Sequence, residues 1–190
     1  QGRALTNNGS ATFSADGYAP YVELDGSSQY LSRADEAGLD ITGALTACAW
    51  VSPDSVASTM VILSRLGSGG SRAWLIQQTT SGYDVIISND GSTLTFSSST
   101  GVATAGEWRF VYMRFEPSTS LVSGYNETKN TNTVSIPSAI YNTADDFRIG
   151  VRADGVNYFD GRIAFPFLCA SALSDTVINR MYKLGSIIFN

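Results

Sequence analysis

The sequence predicts an all-β fold, a two-sheet antiparallel β-sandwich with one short helix near the C-terminus. Short runs of alternating apolar and polar residues recur along the chain, separated by clusters of Gly, Asn, Asp and Ser. Helical periodicity is confined to one late segment. Hydrophobic residues make up 43% of the chain and charged residues 15%, which is typical of a globular protein. Because 190 residues would give two small cores, we expect one domain over residues 1–190.

Eleven segments have the alternation of strands, enough for two packed sheets. In residues 109–115, Val111, Met113 and Phe115 fall on one face, and Tyr112 and Arg114 fall on the other. The predicted strands are 21–24, 29–31, 45–51, 60–64, 73–78, 83–88, 93–97, 108–115, 121–125, 147–151 and 162–169.

Two local signals fix a turn and a helix. Asn89, Asp90 and Gly91 lie between two strand patterns and supply the residues that a tight hairpin turn favours. Ser174 is a suitable helix cap, and Gly185 is a suitable helix end. The apolar stripe between them consists of Val177, Ile178, Met181 and Tyr182.

Four segments, in this order and spacing, resemble the concanavalin A-like lectin/glucanase superfamily and its laminin G-like domains. They are the strand, Asp25-Gly26 turn and strand of 21–31, the tryptophan strand ending in proline of 45–53, the Gly106-Glu107-Trp108 strand start of 105–111, and the segment 147–182 with Asp160-Gly161-Arg162-Ile163. The resemblance implies a concanavalin A-like jelly roll.

The resemblance also implies a metal position that this chain alters. In many members the residues after the Gly-x-Ile pattern are acidic, and the first holds a structural calcium. Ala164 and Phe165 occupy those positions here. We therefore expect no metal and no cofactor.

Catalytic groups are few. The chain contains no histidine, which excludes imidazole bases and His-ligated zinc. Glu23 and Asp25 are two residues apart on one strand, but a glycosidase of the family places a third carboxylate where Ser28 stands. We expect no enzymatic activity, and glycoside hydrolysis is the remote alternative.

The two cysteines, Cys48 and Cys169, are 121 positions apart in strand-like segments and fit no metal motif. They are either buried thiols or a single bridge between adjoining strands.

The charge pattern limits the partners. The net charge of −5, with scattered Lys and Arg, disfavours nucleic acid, and no apolar stretch approaches the roughly 20 residues of a membrane span.

Polar and aromatic residues beside predicted loops are the candidates for ligand contact, because loop tips on a rigid sandwich commonly carry binding sites. We expect a non-catalytic carbohydrate-binding or adhesion module at an extracellular, cell or particle surface, with a glycan or surface protein as partner. The alternative is a structural assembly module, for example of a virion, with self-assembly through the apolar end 187–189. The candidate site residues are Trp74, Gln78, Tyr83, Asn89, Asp90, Arg152, Asp154, Asn157 and Tyr158.

Overall fold

Two seven-stranded antiparallel sheets form the protein. The computed structural model describes residues 4–16, 19–99 and 101–189. In chain order the elements are β1 (Thr6–Asn8), β2 (Thr12–Asp16), β3 (Ala19–Asp25), β4 (Tyr30–Arg33), β5 (Leu45–Pro53), β6 (Met60–Leu66), β7 (Arg72–Thr79), β8 (Gly82–Gly91), β9 (Thr95–Ser99), β10 (Arg109–Glu116), β11 (Ser120–Tyr125), β12 (Thr128–Asn132), β13 (Phe147–Ile149), β14 (Asp160–Cys169) and α1 (Asp175–Phe189). The predicted all-β sandwich with one C-terminal helix is confirmed.

The first sheet has the order β1-β4-β13-β6-β7-β8-β9, and the second has the order β12-β11-β10-β5-β14-β3-β2. Alternate side chains of both sheets fill the space between them. In the first sheet, paired positions carry Leu31, Ile149, Leu63, Ile76 and Val85 across five strands, and all five are buried in one core cluster. Burial of apolar area in this cluster is the main stabilising contribution.

All eleven predicted strands are present, although several have different ends. The strands that the alternation pattern missed are β1, β2 and β12. Each is an edge strand of its sheet, and β12 is almost wholly exposed. An edge strand buries little, so its sequence is polar and carries no alternation to detect.

The predicted hairpin between β8 and β9 is confirmed, but the tight turn was wrong. The pairing ends at Ile87 opposite Thr95, which leaves seven residues, 88–94, in the connection. Of the three turn residues, only Gly91 has a positive φ, at 79°. The Asp90 carboxylate instead closes the turn, because it accepts hydrogen bonds from the amides of Ser92 and Thr93 at 2.8 and 2.6 Å.

Helix α1 covers the outer face of the second sheet. Ser174 caps it as predicted, since its carbonyl and hydroxyl accept from the amide of Val177. Phe189 in the last turn lies 4.9 Å from Trp50 and 4.4 Å from Trp108 between ring centroids. Among the described residues, no helix has the length and apolar character needed to cross a membrane.

The predicted end of the helix at Gly185 was wrong, since the helix continues to Phe189. Gly185 is buried, and a Cβ built on it would lie 2.1 Å from Nε1 of Trp50. Glycine is therefore present because the helix backbone packs directly on the indole ring, a tertiary reason that a local capping rule does not contain.

Candidate ligand-binding surface

Three of the predicted site residues are buried, and their proposed position beside accessible loops is corrected by the structure. Trp74 and Tyr83 are each 1% exposed and belong to the core between the sheets. Gln78 is fully buried, and its amide nitrogen donates to the carbonyl of Ser55 at 3.1 Å. The cause is that β7 and β8 are inner strands of the sheet, so alternation directs these side chains inward.

Tyr83 illustrates the consequence of this burial. Its ring stacks on Tyr125 with centroids 5.5 Å apart, and burial raises the pKa of its hydroxyl above the ordinary value. The Trp74 ring lies 6.1 Å from that of Phe147. Neither aromatic ring has a face open to a ligand.

Asn89 and Asp90 lie on the exposed β8–β9 turn. Besides the two amides, Asp90 accepts from the hydroxyls of Thr93 and Ser88. The hydrogen bond from the Ser92 amide is the largest of several that hold the pKa of this carboxyl below its usual range. Asp90 is therefore a turn-forming residue, and β6 and β7 separate this turn from the remaining candidates.

The other four candidates, Arg152, Asp154, Asn157 and Tyr158, lie together on the loop 150–159 between β13 and β14. Backbone hydrogen bonds fix this loop to β6, from Ala153 N to Leu66 O at 3.1 Å and from Val61 N to Asn157 O at 2.9 Å. Within it, Gly155 N donates to Arg152 O at 2.9 Å, and Gly155 has a φ of 81°. The loop is consequently a pre-formed support for its side chains.

Arg152 and Asp154 form a two-pronged ion pair. Nε and Nη2 of Arg152 donate to the two oxygens of Asp154 at 2.7 and 2.6 Å. The Arg152 hydrogen bond holds the pKa of Asp154 below its usual range and, through the same bond, raises that of Arg152. Both groups remain charged at neutral pH, and the two hydrogen bonds fix each group against the other.

Two residues that sequence reasoning missed complete this surface. Tyr30, at the start of β4, meets Tyr158 edge-on with ring centroids 6.2 Å apart. The guanidinium of Arg148, on β13, lies 5.2 Å from the centroid of the Tyr30 ring, and its Nη1 donates to Arg152 O at 3.5 Å. The signal for Arg148 was its place between two apolar residues, Phe147 and Ile149, which puts it on the outer face.

We call the resulting surface the tyrosine–arginine patch. It consists of Tyr30, Arg148, Arg152, Asp154, Asn157 and Tyr158. Asn157 is exposed, while Tyr30 and Tyr158 are partly exposed. The patch combines aromatic rings with planar charged and amide groups, a set suited to a polar ligand that also has an apolar face.

The carboxylates considered for glycosidase chemistry are arranged differently. The Asp25 carboxylate accepts from the amides of Ser27, Ser28 and Gln29 at 2.8–3.0 Å, and the Ser28 bond is the largest cause that lowers its pKa. Glu23 is exposed on the same strand. Asp25 thus closes the turn after β3, and its hydrogen-bonding capacity is largely used there.

The calcium position implied by the family resemblance contains a buried apolar side chain, since Ala164 is 1% exposed. Within residues 4–16, 19–99 and 101–189, no group of three or more cysteines and acidic residues is arranged to hold a metal ion.

The cysteines are both free thiols. On the adjoining strands β5 and β14, Cys48 is opposite Phe167, and Cys169 is opposite Thr46. Burial, with a smaller contribution from Cys169, raises the pKa of Cys48 to about 12.

Comparison with known proteins agrees with this architecture. A laminin G family model, described as the concanavalin A-like lectin/glucanases superfamily, matches residues 25–179. The chain therefore belongs to the concanavalin A-like lectin/glucanases superfamily. No curated protein matches the chain.

Solved structures share the fold at low sequence identity. The ligand binding domain of botulinum neurotoxin serotype D, in complex with N-acetylneuraminic acid, has a TM-score of 0.77 at 10% identity over 97% of this chain and 46% of its own. A structure of botulinum neurotoxin type C, whose cell entry depends on interaction with two ganglioside molecules, has a TM-score of 0.75 at 9% identity over 95% of this chain and 46% of its own. The binding domain of Paraclostridial Mosquitocidal Protein 1 has a TM-score of 0.74 at 10% identity over 96% of this chain and 48% of its own. The chain spans about half the length of these structures.

Proposed function

We propose that the chain is a non-catalytic carbohydrate-binding module that contacts glycans through the tyrosine–arginine patch. The observation that carries the proposal is that one hydrogen-bonded loop carries the partly exposed Tyr158 ring, the Arg152–Asp154 pair and the exposed Asn157 amide. A pyranose presents C–H groups on one face and hydroxyls around its edge. The ring of Tyr158 can stack on the C–H face, and the Arg152–Asp154 pair and the Asn157 amide can form hydrogen bonds with the hydroxyls.

Pre-organisation favours weak polar ligands of this kind. Sugars gain little from burial of apolar area, so a loop that must first become ordered would lose much of the binding free energy. Here the backbone of 150–159 and the Arg152–Asp154 pair are already fixed. The patch lies on the outer face of the first sheet, whereas α1 covers the outer face of the second.

The similar structures add support of a coarser kind. One of them is a complex with N-acetylneuraminic acid, and another belongs to a toxin whose cell entry depends on gangliosides. Both are chains about twice as long as this one. The absence of histidine and the use of Asp25 in a turn support binding without hydrolysis. A binding role of this kind would place the protein at an extracellular, cell or particle surface.

A glycan array that includes neutral and sialylated oligosaccharides tests this proposal. We expect binding to at least one glycan class and a loss of about tenfold or more in affinity for Tyr158→Ala, as expected when about 1.4 kcal/mol of contact is removed. Asn89→Ala is the matched control, because Asn89 is an exposed residue on a different turn. Folded protein that binds no glycan would contradict the proposal, as would equal binding by wild type and Tyr158→Ala.

A second candidate is an assembly module, favoured by apolar side chains on the outer side of α1. Leu184 and Ile187 are 68% and 79% exposed, and large exposed apolar side chains that lie together commonly mark interfaces. Sedimentation velocity with Leu184→Ser/Ile187→Ser distinguishes the two candidates. An oligomeric wild type together with a monomeric variant would support the assembly role. Monomers in both cases would reject the assembly role.

A further inference from the structure

A second, chemically different site lies where the second sheet separates. Strands β3 and β14 are paired only from Asp25 opposite Asp160 to Val22 opposite Ile163. Beyond this point β14 bulges between Ala164 and Phe167 and pairs only with β5, while β3 continues beside β2. The two strands therefore diverge and leave a gap in the sheet.

Core-facing residues of the first sheet line this gap. Two adjacent cavities, of about 390 Å³ and about 300 Å³, share Leu5, Ile149 and Pro166 as lining residues. Leu39 and Ile41 also line the larger cavity, and Leu31 also lines the smaller one. Volumes of roughly 300–1,000 Å³ are typical of small-molecule sites. We call this space the inter-sheet cleft.

The rim of the inter-sheet cleft is apolar and accessible. Phe13, Phe165 and Phe167 are 63%, 43% and 37% exposed, and each lines one of the two cavities. Phe165 occupies the bulge with a φ of 47°, an uncommon conformation for an aromatic residue. The bulge thus directs aromatic side chains to the mouth of an apolar space rather than into the core.

One wall of the cleft is held by a buried charge. Arg65 is 2% exposed and donates to the carbonyls of Leu39 and Thr143 and to the carboxylate of Asp35. These bonds tie the segment that contains Leu39 to strand β6. A buried guanidinium requires such partners, so its network keeps this wall in place without a ligand.

The charged group at the mouth is an arginine that forms an ion pair with Glu36. Arg33 is the single charged side chain among the described residues that line the two cavities. Its Nη1 donates to Ala4 O at 2.8 Å and its Nη2 to Glu36 at 2.7 Å, which holds the guanidinium in place. A guanidinium has five N–H donors, so Arg33 can accommodate the carboxylate of an otherwise apolar ligand in addition to Glu36.

We propose that the inter-sheet cleft binds a free long-chain fatty acid, with the acyl chain along the apolar lining and the carboxylate at Arg33. Two adjoining cavities suit an extended chain, and the lining offers too few polar groups for a sugar. Leu31 and Ile149 point inward, whereas Tyr30 and Arg148, next to them on β4 and β13, point outward. The cleft is therefore independent of the tyrosine–arginine patch.

Calorimetric titration of the delipidated full chain with oleate tests the proposal. We expect one oleate per chain, an affinity at least tenfold lower for Leu5→Trp, which fills the space shared by both cavities, and unchanged affinity for the control Phe96→Ala. Arg33→Gln should weaken oleate about tenfold, as expected from losing a charge-assisted hydrogen bond, but leave oleyl alcohol unchanged.

Three results would overturn the fatty-acid site. The first is folded wild type that does not bind oleate. The second is oleate binding that neither Leu5→Trp nor Arg33→Gln alters. The third is binding to phosphatidylcholine vesicles without binding of free oleate, which would assign the cleft to a membrane surface instead.

Discussion

Gly185→Ala is a sharp test of how helix α1 packs on the second sheet. The added Cβ would lie 2.1 Å from Nε1 and 2.4 Å from Cε2 of Trp50. Trp50 is 2% exposed and is stacked between Tyr182, at 5.8 Å, and Phe189, at 4.9 Å. The indole ring cannot rotate away without breaking these contacts, so the helix must shift outward.

The expected magnitude follows from two opposing effects. Overpacking a close contact costs roughly 1–3 kcal/mol, while replacing glycine by alanine inside a helix gains up to about 1 kcal/mol. We expect a net loss of about 1–2 kcal/mol in the free energy of unfolding. For a chain of this size, that loss corresponds to a decrease of about 2–8 °C in Tm.

Urea unfolding followed by tryptophan fluorescence measures this loss. Gly69→Ala is the matched control, since a Cβ at Gly69 meets nothing within 4 Å. The control should be neutral or slightly stabilising. A Gly185→Ala variant as stable as wild type would refute the direct packing of the helix on Trp50.

Further predictions concern the last helical turn, the β3 turn and the thiols. Phe189→Ala should lower the free energy of unfolding by about 2 kcal/mol and change the tryptophan fluorescence; an unchanged urea midpoint would contradict its stacking role. Because hydrogen bonds hold the pKa of Asp25 below its usual value, its stabilising effect is present above about pH 4 and is lost as the pH falls through the lower folded value. Wild type should therefore lose more stability between about pH 5 and 2 than Asp25→Asn in acid titrations of the urea midpoint, and parallel curves would contradict this. The buried Cys48, with a pKa of about 12, should resist a thiol reagent at pH 8 while the partly exposed Cys169 reacts. Rapid reaction of both cysteines in the folded protein would contradict the burial of Cys48.

The strands could be predicted because alternation reports burial on one face of a sheet. It failed for β12, whose residues 128–132 are polar and almost wholly exposed at a sheet edge. The same rule placed Trp74 and Tyr83 in strands, but it did not show whether their side chains face the core or the solvent. Apolar residues fill both faces in the middle of β7, where residues 73–76 are all buried. Periodicity then no longer distinguishes inside from outside.

The candidate surface was predicted in part. Arg152, Asp154, Asn157 and Tyr158 are near one another in sequence, so a single loop brings them together. Tyr30 comes from a strand more than a hundred positions earlier, and its contact with Tyr158 exists because β4 pairs with β13. That pairing is a long-range property of the topology, which local patterns do not contain.

The most direct test of glycan binding is an NMR titration of ¹⁵N-labelled protein with the oligosaccharide that gives the strongest array signal. We predict saturable changes in amide chemical shift confined to residues 30, 148 and 152–158. Changes centred on the β8–β9 turn, or no changes with glycan in large excess, would contradict the assignment of the tyrosine–arginine patch as the carbohydrate site.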